Sequence, residues 1–406
     1  MPGALPDGEP VPDDGALPVD ALSALSGRGF GVYVHVPFCA SRCGYCDFNT
    51  YTAAELGGGM SRETYADTVL AELALAGRVL AERPPPVAAV FFGGGTPTLL
   101  PPDDLGRILE AIDRTWGLAP GAEVTTEANP ESVTPASLRS LVGHGFNRIS
   151  LGMQSASAGV LRVLERQHTA GRAPVAAAEA RDAGFAHVNL DLIYGTPGES
   201  ADDFAASLAS VVDAGVDHVS AYSLIVEDGT RMAARMRRGE LAYPSDDMAA
   251  DRYLAAEAAL GAAGFDWYEV SNWATSEAAR CRHNLLYWTG ANWWGLGPGA
   301  HSHVGGVRWW NVKHPASYAA RLAAGRSPGQ GRELLTAEDQ LTEDVMLRLR
   351  LAEGLPLAAL PPAAHEAAAR ALADGLLAAD AYAAGRAALT LRGRLLADGV
   401  VRDLLS

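Results

Sequence analysis

The segment HVPFCASRCGYCDF, residues 35 to 48, sets three cysteines, Cys39, Cys43 and Cys46, within eight positions, directly after a run with the apolar pattern of a strand. Thiolates held that closely repel one another unless a cation neutralises them, so a C-x3-C-x2-C spacing points to a bound metal centre. Cross-linking is a poor alternative, because four cysteines in 406 residues are too sparse for a disulfide scaffold. Structural zinc with His35 as fourth ligand competes with an iron centre. It is disfavoured because His35 falls inside the strand pattern and structural zinc usually takes its ligands as two separated pairs.

The run before the cysteines opens a rhythm of apolar β-type segments alternating with longer Ala/Leu/Arg/Glu stretches, which predicts an α/β fold with a parallel sheet. The predicted strands are GVYVHV (31–36), VAAVFF (87–92), EVTTEA (123–128), RISLGM (148–153), HVNLDLI (187–193) and HVSAYSL (218–224). Between them lie helical patterns such as ETYADTVLAELALAGRVLAE and PVAAAEARDAGF. Six units fit a partial (βα)6 barrel over residues 29–229, with chemistry gathered at the C-terminal ends of the strands. Cys39, Gly93, Glu127, Gln154 and Asp191 all read as lying just after a strand.

Three further stretches complete the organisation. Residues 1–28 are rich in Pro, Gly, Ala and Asp without apolar period and are expected to be a disordered lead-in. Residues 230–314 form an aromatic-rich extension holding most of the eight tryptophans, expected to pack on the barrel. Residues 315–406 read as amphipathic helices of a small, winged-helix-like C-terminal domain. The net charge of -16 and pI near 5.0 argue against nucleic-acid and membrane-surface partners, since no local basic patch offsets them. The acidic, proline-rich start lacks a signal-peptide pattern and no stretch reaches membrane-spanning length, so a cytoplasmic protein without membrane insertion is expected.

Three thiolates on a 4Fe-4S cube leave one iron without a protein ligand, and that position can take the amino and carboxylate groups of S-adenosylmethionine (SAM). The cysteine motif after the first strand, with the Gly-rich FFGGGTPT (91–98) after the second, resembles the radical SAM superfamily. YVHVPFC, GGGTPT, EANPES, LGMQS, NLDLIYGTPGE, HNLLYW, GLGPGAHS and GRLLADGV extend the resemblance across nearly the whole folded chain, to the coproporphyrinogen dehydrogenase family and its relatives, the HemW-type haem chaperones. The resemblance implies SAM contacts from Tyr33, Gly94, Gly95, Thr96, Glu127, Gln154, Arg166 and Asp191. Carboxylates and amides suit ribose hydroxyls and the SAM ammonium, Arg166 suits a carboxylate, and glycines let backbone approach the methionyl group and offer N–H donors.

The two branches part at two places. The dehydrogenases resemble C-x3-C-x2-C-x-C, whereas Asp47 and Phe48 follow Cys46 here, so the fourth cysteine is missing. HNLLYW, on the other hand, looks like the HNxxYW haem-binding motif of the chaperones, which implies a haem site of His283, Asn284, Tyr287 and Trp288. If the segment is helical, His283 and Tyr287 lie one turn apart, Trp288 can cover the macrocycle, and Asn284 can orient the imidazole. His301 and His303, in a Gly-rich stretch read as a turn, are rival iron ligands, and Cys281 reads as a buried thiol. The implied function is a haem chaperone that passes haem to an acceptor protein and draws on a reductant. The alternative is an oxygen-independent coproporphyrinogen III dehydrogenase carrying out a radical oxidative decarboxylation.

Overall fold

The computed structural model describes residues 8–56, 60–81 and 84–406. Its centre is six parallel strands: β1 (Phe30–Val36), β2 (Val87–Gly94), β3 (Leu118–Ala128), β4 (Arg148–Gln154), β5 (His187–Tyr194) and β6 (His218–Ser223), paired in that order. Their near-continuous burial follows from being covered on both faces. The helix Pro102–Trp116 illustrates the crossovers. It starts with proline in its first turn, buries Leu105, Ile108, Leu109, Ile112 and Trp116 on one stripe, and stops at Gly117, φ +72°.

The expected strands and the α/β class match the structure, but the aromatic-rich extension does not simply pack on the barrel. It lengthens the sheet at both edges. β7 (Asp266–Glu269) and β8 (Asn272–Ala274) pair antiparallel beyond β6, and β9 (Asn292–Leu296) pairs parallel with β1. β10 (His301–Val304), β11 (Val307–Asn311) and β12 (Gly329–Leu334) continue antiparallel from β9. The expected boundary at residue 315 therefore falls inside this sheet extension.

A separate apolar cluster that includes Val345, Leu349, Leu360, Ala368, Val400 and Leu404 organises the C-terminal helices, with a two-stranded pair, Leu355–Pro356 and Arg386–Ala387. It docks through Arg394 of GRLLADGV, whose guanidinium donates to both Glu257 oxygens (2.7 and 3.0 Å) and lies 4.2 Å over the Trp267 ring. Within the expected lead-in, residues 1–7 lie outside the described residues. Residues 8–28, expected to be disordered, pack instead: Glu9 bridges to Arg332, and Ala21 and Leu25 are buried in the main core. Gly8 and Gly15 lie so close to Trp310 and Leu75 that a Cβ would clash, which shows how a proline-rich stretch without apolar period still fits a surface.

Candidate functional site

Glu127, Ser150, Asn189 and His218 are successive register partners on β3 to β6 and so share the inner face of the curved sheet. Asp191 lies on that face two residues beyond Asn189. It accepts from Ser150 Oγ (3.0 Å) and Asn189 Nδ2 (2.7 Å), and burial pushes its carboxyl up. Glu127 accepts from the Gly94 amide (3.0 Å). Burial, reinforced by Asp191, pushes its carboxyl up to about 7. Glu127 and Asp191 sit within their strands rather than after them, so the acidic pair is set in the wall of the lumen. Mutually repelling carboxyls of this kind suit a cationic guest.

The cysteine loop covers the C-terminal ends of the strands. Burial raises the Cys39 and Cys46 thiols, Cys46 to about 11, and the neighbouring cysteine sulfurs add to both shifts. A cationic centre binding these two thiols would reverse that penalty. His35 is not available to complete a zinc site: Nδ1 meets the Tyr33 hydroxyl at 3.0 Å and Nε2 meets the Asn49 carbonyl at 2.9 Å. Among the described residues, no three His, Cys, Asp or Glu side chains converge as ligands of a single ion. Phe48, where the dehydrogenase pattern has its fourth cysteine, is 56% exposed.

The glycine run does something other than expected. The Gly95 amide donates to Val36 O (2.8 Å), the Thr96 amide to Phe38 O (2.7 Å), and the Gly94 amide to Glu127, so all three are engaged by the protein. The glycines are needed because a Cβ on Gly94 would lie 2.5 Å from the His35 ring, and one on Gly95 only 2.4 Å from Phe38 O. They let β2 close against the cysteine loop. Arg166 joins the same region: Nη1 donates to Cys43 Sγ (3.5 Å), Nη2 to Gly152 O (2.7 Å) and Nε to His168 (3.3 Å). Gly152 makes room for that guanidinium, and a register shift ends β4 with Gln154 buried at φ +66°, a conformation uncommon without glycine.

HNLLYW is helical, Arg282–Trp288, and the helix inserts against the inner face of β1 and β2. His283 is 1% exposed, stacked on Phe91 with centroids 4.9 Å apart and closed off by Tyr287, whose hydroxyl meets Nε2 at 2.8 Å. Burial holds its imidazole neutral, down to about 3, and Nδ1 has no hydrogen-bond partner. Asn284 turns away from His283: its amide donates to Glu269 (3.4 Å). His301 and His303 stand on a strand rather than in a turn. His301 is exposed, and His303 is buried with Nδ1 on Ala291 O (2.9 Å).

Four buried groups escape the sequence reading. Glu123 accepts from the amides of Arg282 (2.9 Å) and His283 (3.1 Å) and from the Cys281 thiol (3.5 Å), which burial pushes well up. Glu269 holds Asn284. Tyr268 and His218 complete a one-way chain of donors: Cys281 N–H to the Tyr268 hydroxyl (3.1 Å), Tyr268 O–H to His218 Nε2 (2.7 Å), His218 Nδ1–H to Asn189 Oδ1 (2.7 Å), and Asn189 to Asp191. The only signal in the sequence is an acid, or a histidine, inside an otherwise apolar strand.

The radical SAM superfamily model matches residues 33–211, and the C-terminal domain model of HemN matches residues 335–396. "Heme chaperone HemW" of Mycobacterium tuberculosis is 55% identical over 384 residues, covering 95% of this chain and 97% of its own. The Bacillus subtilis protein of the same name is 31% identical over 80% of this chain and 84% of its own. The Escherichia coli radical SAM enzyme coproporphyrinogen III oxidase (HemN) has the same fold, with TM-score 0.79 over 97% of this chain and 94% of that one, at 23% identity.

Proposed function

This chain belongs to the HemW family of haem chaperones within the radical SAM superfamily, and from that premise we infer that it carries haem to an acceptor protein in the cytoplasm. A radical SAM domain implies a 4Fe-4S cluster and SAM. Cys39, Cys43 and Cys46 would hold the cluster, which, once reduced by an external reductant, would supply electrons for chemistry on SAM. Glu127 and Asp191 would meet the cationic side of SAM, with Tyr33, Gln154, Arg166 and the Gly94–Thr96 turn around it. The raised carboxyls support this reading, because a cation in the lumen would relieve them.

One observation carries the haem reading: in HNLLYW, a neutral imidazole is kept in the lumen with one ring nitrogen unmet. The donor chemistry suits haem iron. The space around it does not, because Phe91 and Tyr287 enclose the ring, so capture by His283 needs the motif helix to move. His301, already exposed, is the rival ligand. The chain from Asp191 to the Cys281 amide offers a route by which lumen occupancy bears on the start of the helix, and thus on haem affinity.

Haem titrated into the anaerobically reconstituted protein, with and without SAM, tests the function. A saturable Soret change that weakens in His283→Ala, with the cluster spectrum unaltered, is expected. Unchanged affinity in that variant and loss in His301→Ala would move the ligand to His301. Formation of protoporphyrinogen from coproporphyrinogen would replace the carrier with the dehydrogenase.

A further inference from the structure

The motif helix spans seven residues, Arg282–Trp288, and helices that short are not stable by themselves in water. Something must hold it. Its first amides are fixed by Glu123, while the Asn284 side chain, in its first turn, donates to Glu269 (3.4 Å). Glu269 is 1% exposed and also accepts from the Ser271 amide (3.3 Å) and from Asn272, so its carboxyl group is surrounded by donors. Its backbone forms a bridge with Leu351 of the C-terminal domain, beside the Ala352 N–H bond to Tyr268 O (2.9 Å). From the same domain, Arg348 donates to Thr289 O (3.1 Å) at the end of the helix.

We propose that Glu269 is a positioning residue of the haem site: its carboxyl clasps Asn284, keeps the motif helix closed over His283, and must let go for haem to be captured. This rests on the haem-carrier reading and deepens it. Asn284 then serves to gate the ligand rather than to touch haem in the closed state. The backbone bridge makes β7 the place where the C-terminal domain and the motif meet, so a partner that moves that domain would act on the clasp.

The test uses the full chain, anaerobically reconstituted, as Glu269→Ala, Glu269→Gln and the parent. Hydrogen exchange of the amides of residues 282–290 is measured without haem, and association of hemin by stopped flow at the Soret band. Losing donors held by a buried acceptor should speed exchange and association about tenfold in Glu269→Ala, with Glu269→Gln between it and the parent and iron and sulfide content unchanged. Unchanged association overturns the proposal, whether or not exchange rises, since faster exchange alone would make Glu269 only a structural tie. If Glu269→Ala does not fold, Asn284→Leu, which removes the helix donor to the clasp, should speed both rates by about threefold, and parent-like rates would reject the idea. A parent that takes up no hemin refutes the carrier function. The exchange measurement still decides whether Glu269 holds the helix.

Discussion

A double-mutant cycle on His283 and Tyr287 asks whether this pair is kept at a cost in stability. The His283 ring is buried, its Nε2 is paired with the Tyr287 hydroxyl at 2.8 Å, and its Nδ1 is unmet. Either tautomer therefore leaves one ring nitrogen unpaired, a penalty of about 1–3 kcal/mol. Tyr287→Phe alone strands the second nitrogen and should cost a further ~1–3 kcal/mol, whereas His283→Phe alone strands a half-buried hydroxyl and should cost about 1 kcal/mol. Replacing both with phenylalanine removes donor, acceptor and orphan together and keeps rings against Phe91. The double variant should lie within about 1 kcal/mol of the parent or above it, giving a coupling of about 1–3 kcal/mol. Urea unfolding of the metal-free protein, followed by near-ultraviolet circular dichroism, reads these values. A double variant that loses the sum of the singles would refute the reasoning, because the pair would then be an ordinary core contact.

The other predictions concern the lumen and the cysteine loop. Cys43→Ala should lose the iron-sulfur absorption and take from Arg166 its sulfur contact, and unaltered iron and sulfide content would remove Cys43 from the ligand set. Because the Glu127 carboxyl is raised to about 7, it is largely neutral below that pH, so SAM affinity should fall as pH drops through 7. In Glu127→Gln, SAM isotherms should be weaker and flat across this window, and parallel pH profiles would exclude Glu127. Folding responds in the opposite sense: a carboxyl raised in the folded state favours folding at low pH, and that contribution is lost as pH rises through about 7. Gly95→Ala would set a Cβ 2.4 Å from a backbone oxygen, so unfolding stability should drop by about 2 kcal/mol or more and cluster retention with it. An unchanged urea midpoint and iron content would contradict that account.

The central sheet is legible in the sequence because a parallel strand buried on both faces leaves a continuous apolar run between helical periods, a local signal. The edges were not legible for the opposite reason. NWWGL, HSHV and VRWWN are short and separated by glycine-containing turns, so nothing in their period distinguishes an added strand from a loop packed on a barrel. What recruits them is remote. Glu72, on the helix Arg62–Leu80, accepts from Gly297 N (2.8 Å), Asn311 Nδ2 (2.7 Å) and the Tyr318 hydroxyl, and burial raises it to about 7. One acid more than 200 positions away thus fixes the turn between β9 and β10. Local pattern has no way to announce it.

The site divides along the same line. Motif matching named the residues that lie at the lumen, since a residue type at a fixed offset survives in one dimension, but their contacts depend on partners that no motif contains. The amides of Gly94, Gly95 and Thr96 are taken by Glu127, Val36 and Phe38. Asn284, expected at a haem surface, donates to Glu269, 15 positions away. Glu123 and Tyr268 were invisible because the groups they accept from lie 158 or more and 13 positions away, respectively, and a buried acid in a strand reveals its purpose only through its donors. Four polar residues tie down a seven-residue helix, and one histidine nitrogen is left unmet beneath it. A core selected for stability alone would have replaced that group with apolar side chains, so its retention marks the motif helix as the element whose movement the function uses.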